Sequence, residues 1–343
     1  MKKTLGQFYT TNYKYILQDL NIPKDTKNVI EPFAGKGDLL KFNQLQHLQI
    51  EKYDIDPKSI GIIKRDTLKN PPVYKDKFVI TNPPYLARNK CKDKTIFDMY
   101  STNDLYKCFI KQIIRDPPLG GILIIPLNFW CSIRKADTQL RKEFLEVFNI
   151  DKLNIFEERV FNDTSYTVCS FQFTKIKDRN IDSINTTVYP SVKNLIFNLN
   201  EKNNYIIGGD IYLLQQDSNI HVERLTHKNI KDNTNYITNL LLKCIDDNKD
   251  SKISLSLVED DEIFIDNTEK CSARSYATLI IKPALSIEKQ KLLAEKFNRY
   301  IAFKRNFYNS LFLTNYRESN SIARKRISFN LAYTIINNLI SKL

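Results

Sequence analysis

Phe78-Val79-Ile80-Thr81-Asn82-Pro83-Pro84-Tyr85 is the stretch on which the reading of this chain turns. Its first four residues are apolar or β-branched, the composition of a short buried strand. The next three end that strand abruptly. Two prolines fix φ and remove two backbone donors, leaving a stiff turn whose carbonyls point outward as acceptors. Asn82 adds a side-chain carbonyl and Tyr85 a flat apolar face. In open α/β sheets ligands bind beyond the carboxyl ends of strands, so a turn of this kind after Thr81 stands where a site is expected. Taken alone, Asn-Pro-Pro is equally readable as a plain turn.

Outward from that turn, the first half alternates β-branched runs with amphipathic stretches. This βαβ rhythm implies a parallel sheet covered by helices. Strands are expected at 28–31, 50–54, 60–64, 78–81, 121–126, 153–156 and 168–174. Leu105, Phe109, Ile113 and Ile114 share one face of a helix starting near Ser101, and Leu140, Phe144, Leu145 and Phe148 share a face of another. Ser101 and Asp137 are the expected caps. After Thr174 the rhythm changes to Asn-rich loops, strand-like runs and a long helical C-terminus, so two domains are expected, 1–174 and 175–343. The fold class is α/β, with a C-terminal α+β domain. The run Glu259-Asp260-Asp261-Glu262 reads as a solvated loop.

Composition narrows the function classes. The 343 residues carry a formal net charge of +13, which favours a polyanionic partner, although a Lys-, Asn- and Ile-rich composition also follows from an AT-rich genome. Cys91, Cys108, Cys131, Cys169, Cys244 and Cys271 are scattered, with no Cys-x-x-Cys pair, and the three histidines form no metal-binding pattern. No metal is expected, and a reduced, cytoplasmic setting is. The absence of an apolar run of some 18 residues points away from a membrane.

The chemistry a turn such as Asn82-Pro83-Pro84-Tyr85 can perform is specific. A flipped adenine offers two N6 hydrogens to accept and one ring to stack. Accepting both hydrogens shifts N6 toward sp3 and frees its lone pair for attack on a methyl group, while the same oxygens stabilise the developing positive charge. Upstream, Glu31-Pro32-Phe33-Ala34-Gly35-Lys36-Gly37-Asp38 closes the first strand and turns into a helix. It lacks the third glycine of a dinucleotide fingerprint.

In this order the motifs resemble the gamma class of adenine-N6 DNA methyltransferases of type II restriction-modification systems. The resemblance covers about residues 4–174. It implies a Rossmann-like, S-adenosylmethionine-dependent catalytic domain followed by a DNA-recognition domain. By that resemblance the Asn82 side-chain oxygen and the Pro83 carbonyl hold N6, Pro84 stiffens the turn, and Tyr85 stacks on the base with Phe161 as a second ring. Tyr9 and Thr10, in Gly6-Gln7-Phe8-Tyr9-Thr10, fold over the methionine end of the cofactor. Glu31 takes its ammonium, Gly35 and Gly37 permit its close approach, Asp54 rather than Asp56 meets the ribose, and Asp66 the adenine amine. The family often has an aromatic after that last acid. Here Thr67 and Leu68 follow, so Phe33 or Leu86 is expected to substitute. Pro126, Leu127 and Asn128 are expected to support the pocket.

Residues 287–343 hold eleven basic and three acidic side chains with Phe303, Phe307, Tyr308, Phe312 and Tyr316 interleaved. Phosphate contact calls for such a mixture, and so does a helical hairpin with solvated cations. Lys304, Arg305, Arg317, Arg324, Lys325 and Arg326 are the expected DNA contacts, with Arg224, Lys228, Arg274 and Arg317 as candidate base readers. A monomer acting on double-stranded DNA is expected, in a bacterium or encoded by a virus, with a separately acting restriction endonuclease as its partner. Two rivals share parts of this pattern. One performs the same chemistry on RNA adenine or protein glutamine, and the other is a non-catalytic nucleic-acid-binding module.

Overall fold

The computed structural model describes residues 6–161, 166–178, 183–246, 252–308, 314–319 and 322–343. The chain divides into two compact units, the first running to Tyr205 and the second comprising Ile206–Arg317 and Arg324–Leu343, with Glu318–Ala323 assigned to the first.

In the first unit, α1 (Tyr13–Ile16) precedes β1 (Asn28–Glu31), β2 (Gln49–Asp54), β3 (Ile63–Lys64) and β4 (Phe78–Thr81). There follow α2 (Thr95–Tyr100), α3 (Leu105–Arg115), β5 (Gly120–Pro126), α4 (Asn128–Cys131), α5 (Lys135–Leu145), β6 (Phe148–Phe156), β7 (Val168–Lys175), β8 (Ser183–Tyr189) and β9 (Lys193–Asn198). Among the described residues these strands form a nine-stranded sheet in the order β3-β2-β1-β4-β5-β7-β6-β8-β9. The first five are parallel, and β7 is antiparallel to both of its neighbours. The sheet is Rossmann-like, with its strand order reversing between β1 and β4. That reversal is the switch point at which ligand crevices open. Glu31, Asp54 and Thr81, the last residues of β1, β2 and β4, all stand at this end of the sheet.

The expected strands at 28–31 and 78–81 coincide with β1 and β4; β4 is buried throughout and β1 from Val29 to Glu31, and a proline at 32 or two at 83–84 ends each. Elsewhere the boundaries moved. Only Ile63–Lys64 of the strand expected at 60–64 is extended, since Gly61 turns at φ +79. No α-helix follows the glycine turn; two 3-10 turns, Leu39–Lys41 and Asn43–Leu45, bridge to β2 instead. Ser101 does not cap α3: it ends α2 in the left-handed region, and Asp104 immediately precedes α3. Asp137 lies inside the first turn of α5, where it pairs with Lys107 and accepts from Ser132. Phe148 opens β6 rather than ending a helix.

The boundary expected after Thr174 falls inside this sheet. Residues 183–198 add β8 parallel to β6 and β9 antiparallel to β8, completing backbone hydrogen bonds that would otherwise end at β6. A dense aromatic core, with Trp130 edge-on to Phe129 and Phe171 and Phe144 against Phe148 and Phe173, fixes the far half of the sheet.

The second unit is α+β. Strands β10 (His221–Arg224), β11 (Ile237–Lys243), β12 (Ser254–Leu257) and β13 (Tyr276–Lys282) form an antiparallel sheet in the order β10-β13-β11-β12. Helices α6 (Ile287–Tyr308) and α7 (Phe329–Ile340) belong to this unit. Between them β14 (Thr314–Ser319) and β15 (Ile322–Arg326) make a two-stranded ribbon. The acidic run at 259–262 is a short 3-10 turn, Asp260–Glu262, closed by a reciprocal cap between Glu259 and Glu262 and buried nowhere. Among the described residues no helix is long and apolar enough to cross a membrane, and no group of His, Cys, Asp and Glu is placed to hold a metal.

Candidate active site

A cleft of about 230 Å³ opens at the switch point, and its wall carries residues from the N-terminal motif, the glycine turn, the ends of the second and third strands and the Asn-Pro-Pro turn, but not Phe161 or residues 126–128. Gln7, Phe8 and Tyr9 contribute from the N-terminal segment, Phe33 and Gly35 from the turn after β1, and Asp54 and Ile55 from the end of β2. Asp66 and Leu68 follow β3, and Asn82, Pro84 and Leu86 follow β4. Phe33 and Leu86, the expected substitutes for the missing aromatic, are both on the wall. Thr10, Glu31, Gly37, Pro83 and Tyr85 are not.

Asn82 is held in one orientation. Its Nδ2 donates to the Phe8 carbonyl at 2.8 Å and to Thr10 Oγ1 at 3.0 Å, which leaves Oδ1 as the acceptor. The Tyr85 hydroxyl meets that Oδ1 and lies 2.6 Å from the Ile124 carbonyl on β5. The pocket support expected from 126–128 thus comes from two residues earlier on β5. No donor among the described residues takes the Pro83 carbonyl. Tyr85 is 3% exposed, and burial pushes its phenol far above the ordinary range. It therefore acts only as a neutral hydrogen-bond donor.

Thr10 consequently serves Asn82, while Tyr9 covers the glycine turn. Gly35 stands at φ +53, and a Cβ there would meet the Tyr9 ring at 3.1 Å. Only glycine accepts both the left-handed backbone and the ring above it. The Lys36 ammonium lies 4.9 Å from that ring's centroid.

Asp54 is 2% exposed, lines the cleft, and accepts hydrogen bonds at both carboxylate oxygens, with a second lone pair on Oδ2 not taken by any of them. Its Oδ2 accepts from Gly35 N at 2.8 Å, and its Oδ1 accepts from Asp56 N at 2.7 Å and Gln7 Nε2 at 3.2 Å. It ties the turn, the second strand and the N-terminal segment together. Asp56 instead pairs with Lys58 at 2.6 Å, both side chains being partly exposed. Asp66 Oδ1 caps its own turn, accepting from Leu68 N and Lys69 N at 3.2 Å each.

Glu31 is 1% exposed. Its Oε1 accepts from Phe33 N at 3.1 Å and from the Thr81 hydroxyl, whereas Oε2 is buried with no hydrogen-bond partner. Burial raises its carboxyl to about 8, against the opposing pull of the Thr81 and Phe33 donors. A buried acid with one oxygen unused is the arrangement a cationic donor would complete.

Phe161 is 4% exposed, so it is a packed ring rather than a projecting one; the rest of its loop, 162–165, lies outside the described residues. Phe8, which the sequence singled out only as part of its motif, touches both expected stacking rings. Its centroid is 5.3 Å from that of Tyr85 and 6.4 Å from that of Phe161. Gln7 and Phe8, with Arg65, Lys69, Asp93 and Ile96, are among the wall residues that sequence reasoning passed over. For Gln7 and Phe8, their place beside Tyr9 was the available signal.

In the second unit the expected DNA contacts separate. Arg305 forms a two-pronged pair with Asp246, at 2.6 and 2.8 Å, and is committed inside the unit. Lys304 is buried, with its ammonium near the rings of Tyr300 and Phe303. Arg326 Nη2 donates to Ser275 Oγ at 3.3 Å. Arg224 donates to the carbonyls of Ala273 and Cys271 and so braces that loop. Lys228 lies in the described part of this unit, and Arg274 is exposed. The side chains of Arg317, Arg324 and Lys325 lie outside the described residues, as do those of Phe307, Tyr308, Phe312 and Tyr316.

Residues 15–161 match the family model described as Eco57I restriction-modification methylase. Among solved structures, the type I restriction-modification system methyltransferase subunit from Streptococcus thermophilus is 16% identical over 53% of this chain and 47% of its own, with a TM-score of 0.40. The type I restriction enzyme EcoKI M protein is 14% identical over 88% of this chain and 72% of its own, TM-score 0.40. The type IIL restriction-modification enzyme MmeI, in complex with DNA, is 12% identical over 63% of this chain and 40% of its own, TM-score 0.39. The chain spans about half the length of the Streptococcus protein. No curated protein matched it.

Proposed function

We propose that this chain, whose residues 15–161 match the restriction-modification methylase family, transfers a methyl group from S-adenosylmethionine to N6 of an adenine turned out of duplex DNA. The observation that carries the reading is the single orientation of Asn82 on the wall of the cleft, its amide nitrogen anchored by Phe8 and Thr10 and its oxygen left to accept. An anchored amide is a preorganised acceptor, and preorganisation is what stabilises charge that appears only during transfer.

The residues present fit the cofactor. Glu31 Oε2, buried and unpartnered, would take its ammonium; Asp54, at the end of β2, would face its ribose; Phe33 and Leu86 would flank its adenine. When bound, it supplies an electrophilic methyl on a sulfonium. The protein's part is to accept the N6 hydrogens at Asn82 Oδ1 and the Pro83 carbonyl, so that the nitrogen lone pair points at the methyl carbon. No side chain of ordinary basicity near Asn82 is needed, since the proton leaves N6 only after the nitrogen has become cationic. The apolar wall formed by Phe8, Leu86 and Ile96 excludes water from the transfer path.

The basic second unit, following the sheet, supplies the docking surface for the duplex, with a restriction endonuclease acting separately on the same site. This favours DNA over protein glutamine as the acceptor, because a side-chain acceptor needs no basic platform. Incubating the protein with duplex DNA, an RNA hairpin and labelled S-adenosylmethionine tests the assignment. Label is expected in DNA and, after hydrolysis, in N6-methyladenine; label confined to RNA or to cytosine would refute it.

A further inference from the structure

Resting on that reading, we propose that the target-base pocket is closed by the protein's own Phe8, whose ring stands in for the base and swings aside when adenine enters. The two rings expected to grip the base, Tyr85 and Phe161, are only 3% and 4% exposed. Phe8 reaches both. Its ring lies 5.3 Å from Tyr85 at 30° and 6.4 Å from Phe161 at 40°. Aromatic pairs lie roughly 4.5–7 Å apart between centroids, so the tilted Phe8 ring occupies the space beside Tyr85 that a base would take.

The acceptor is masked in the same conformation. Asn82 Oδ1, which should meet N6, faces the Tyr85 hydroxyl instead. That hydroxyl has a second acceptor, the Ile124 carbonyl at 2.6 Å, to which its proton can turn entirely. One phenyl ring and one O–H therefore imitate the two things an adenine would bring, its plane and its N6–H.

The backbone of the segment need not move. The Gly6 carbonyl accepts from Tyr85 N at 2.9 Å, and the Phe8 carbonyl accepts from Asn82 Nδ2 at 2.8 Å. A Cβ on Gly6 would approach the Tyr85 carbonyl to 2.7 Å, so the segment is seated as closely as backbone permits. Opening is then a side-chain rotation of Phe8 about a fixed main chain. The half-buried ring already borders the cleft.

The test uses the duplex whose adenine the wild-type enzyme is found to methylate, with 2-aminopurine in its place. Phe8→Ala removes the competitor, and the flipping equilibrium read from 2-aminopurine emission is expected to rise roughly threefold to tenfold, the worth of one aromatic pair. An unchanged or lower flipped fraction would overturn the proposal, because it would make Phe8 an ordinary wall of the pocket. Phe8→Trp gives an independent readout, Trp130 being the sole native tryptophan. Its indole emission is expected to shift red with the target duplex and to stay unmoved with a duplex lacking the site; no shift with the target overturns the proposal even if Phe8→Ala fails to fold. A wild-type enzyme that methylates no DNA would remove the underlying reading, whereas methylation with an immobile Phe8 would remove the gate alone.

Discussion

Glu31 offers the sharpest test of the site, because its burial gives two effects of opposite sign. Its carboxyl is raised from about 4.5 to about 8 by desolvation, so the folded protein keeps a proton that the unfolded chain gives up. Stability is therefore complete below about pH 4.5 and falls as pH climbs toward 8. By linkage the loss amounts to about 5 kcal/mol once both states have titrated. Glu31→Gln keeps the group neutral, so the variant should melt later than wild type above pH 7 and like it below about pH 4. Cofactor binding should respond in the reverse sense. Holding an ammonium requires the ionised acid, which at pH 7 means expelling about 0.9 proton from Glu31 on binding, falling to about 0.5 at pH 8. Titration calorimetry with S-adenosylmethionine in buffers of different ionisation enthalpy measures that release, and the variant supplies the baseline for the ligand's own amine. Wild-type affinity should peak near pH 8, while the variant binds roughly 10- to 100-fold more weakly, as expected for the loss of a charge-assisted bond. Equal proton release by the two proteins, or equal affinity, would refute the ammonium assignment whatever the stability curves show.

Three further outcomes follow from the geometry. Asn82→Ala should lower the methyl-transfer rate by about 10²- to 10³-fold in single-turnover assays, with DNA affinity by gel shift changed little, since the lost acceptor acts on developing charge. Tyr85→Phe strands the buried Ile124 carbonyl and should cost about 1–3 kcal/mol in a urea melt; an unchanged midpoint would show that the hydroxyl bond is not formed. Arg305→Ala leaves the buried Asp246 carboxylate unpaired, so a stability loss of about 3–5 kcal/mol is expected with no change in the salt dependence of DNA binding. A reduced salt slope would instead make Arg305 a phosphate contact.

Much of the first unit was legible because its signals are local. Phe78–Thr81 followed by two prolines can hardly be anything but a buried strand and a stop, and the glycines at 35 and 37 mark a turn whatever surrounds them. The same holds for the order of motifs, which places Asn82, Asp54, Asp66 and Gly35 on one wall once strands 1, 2 and 4 are parallel. The domain boundary was not legible. Residues 183–198 alternate like any solvent-edged hairpin, and whether such strands extend an existing sheet or begin a new one depends on which edge is free to pair. The internal pairing of Arg305 was illegible for a related reason. A sequence reports that Arg305 is charged, but not that Asp246, 59 positions earlier, faces it.

The amino-acid sequence by itself determined where strands stop, which residue types can accept hydrogens or stack on a ring, and the sign of the overall charge, because each depends on chemistry within a few residues. Only the tertiary structure decided how those groups are spent. Thr10 serves Asn82, Asp54 braces a backbone turn, Phe8 covers Tyr85, and Glu31 is left with an oxygen unpaired. Hydrogen bonds and ring contacts saturate at short range, so each group's role is set by the partner that folding brings to it from elsewhere in the chain.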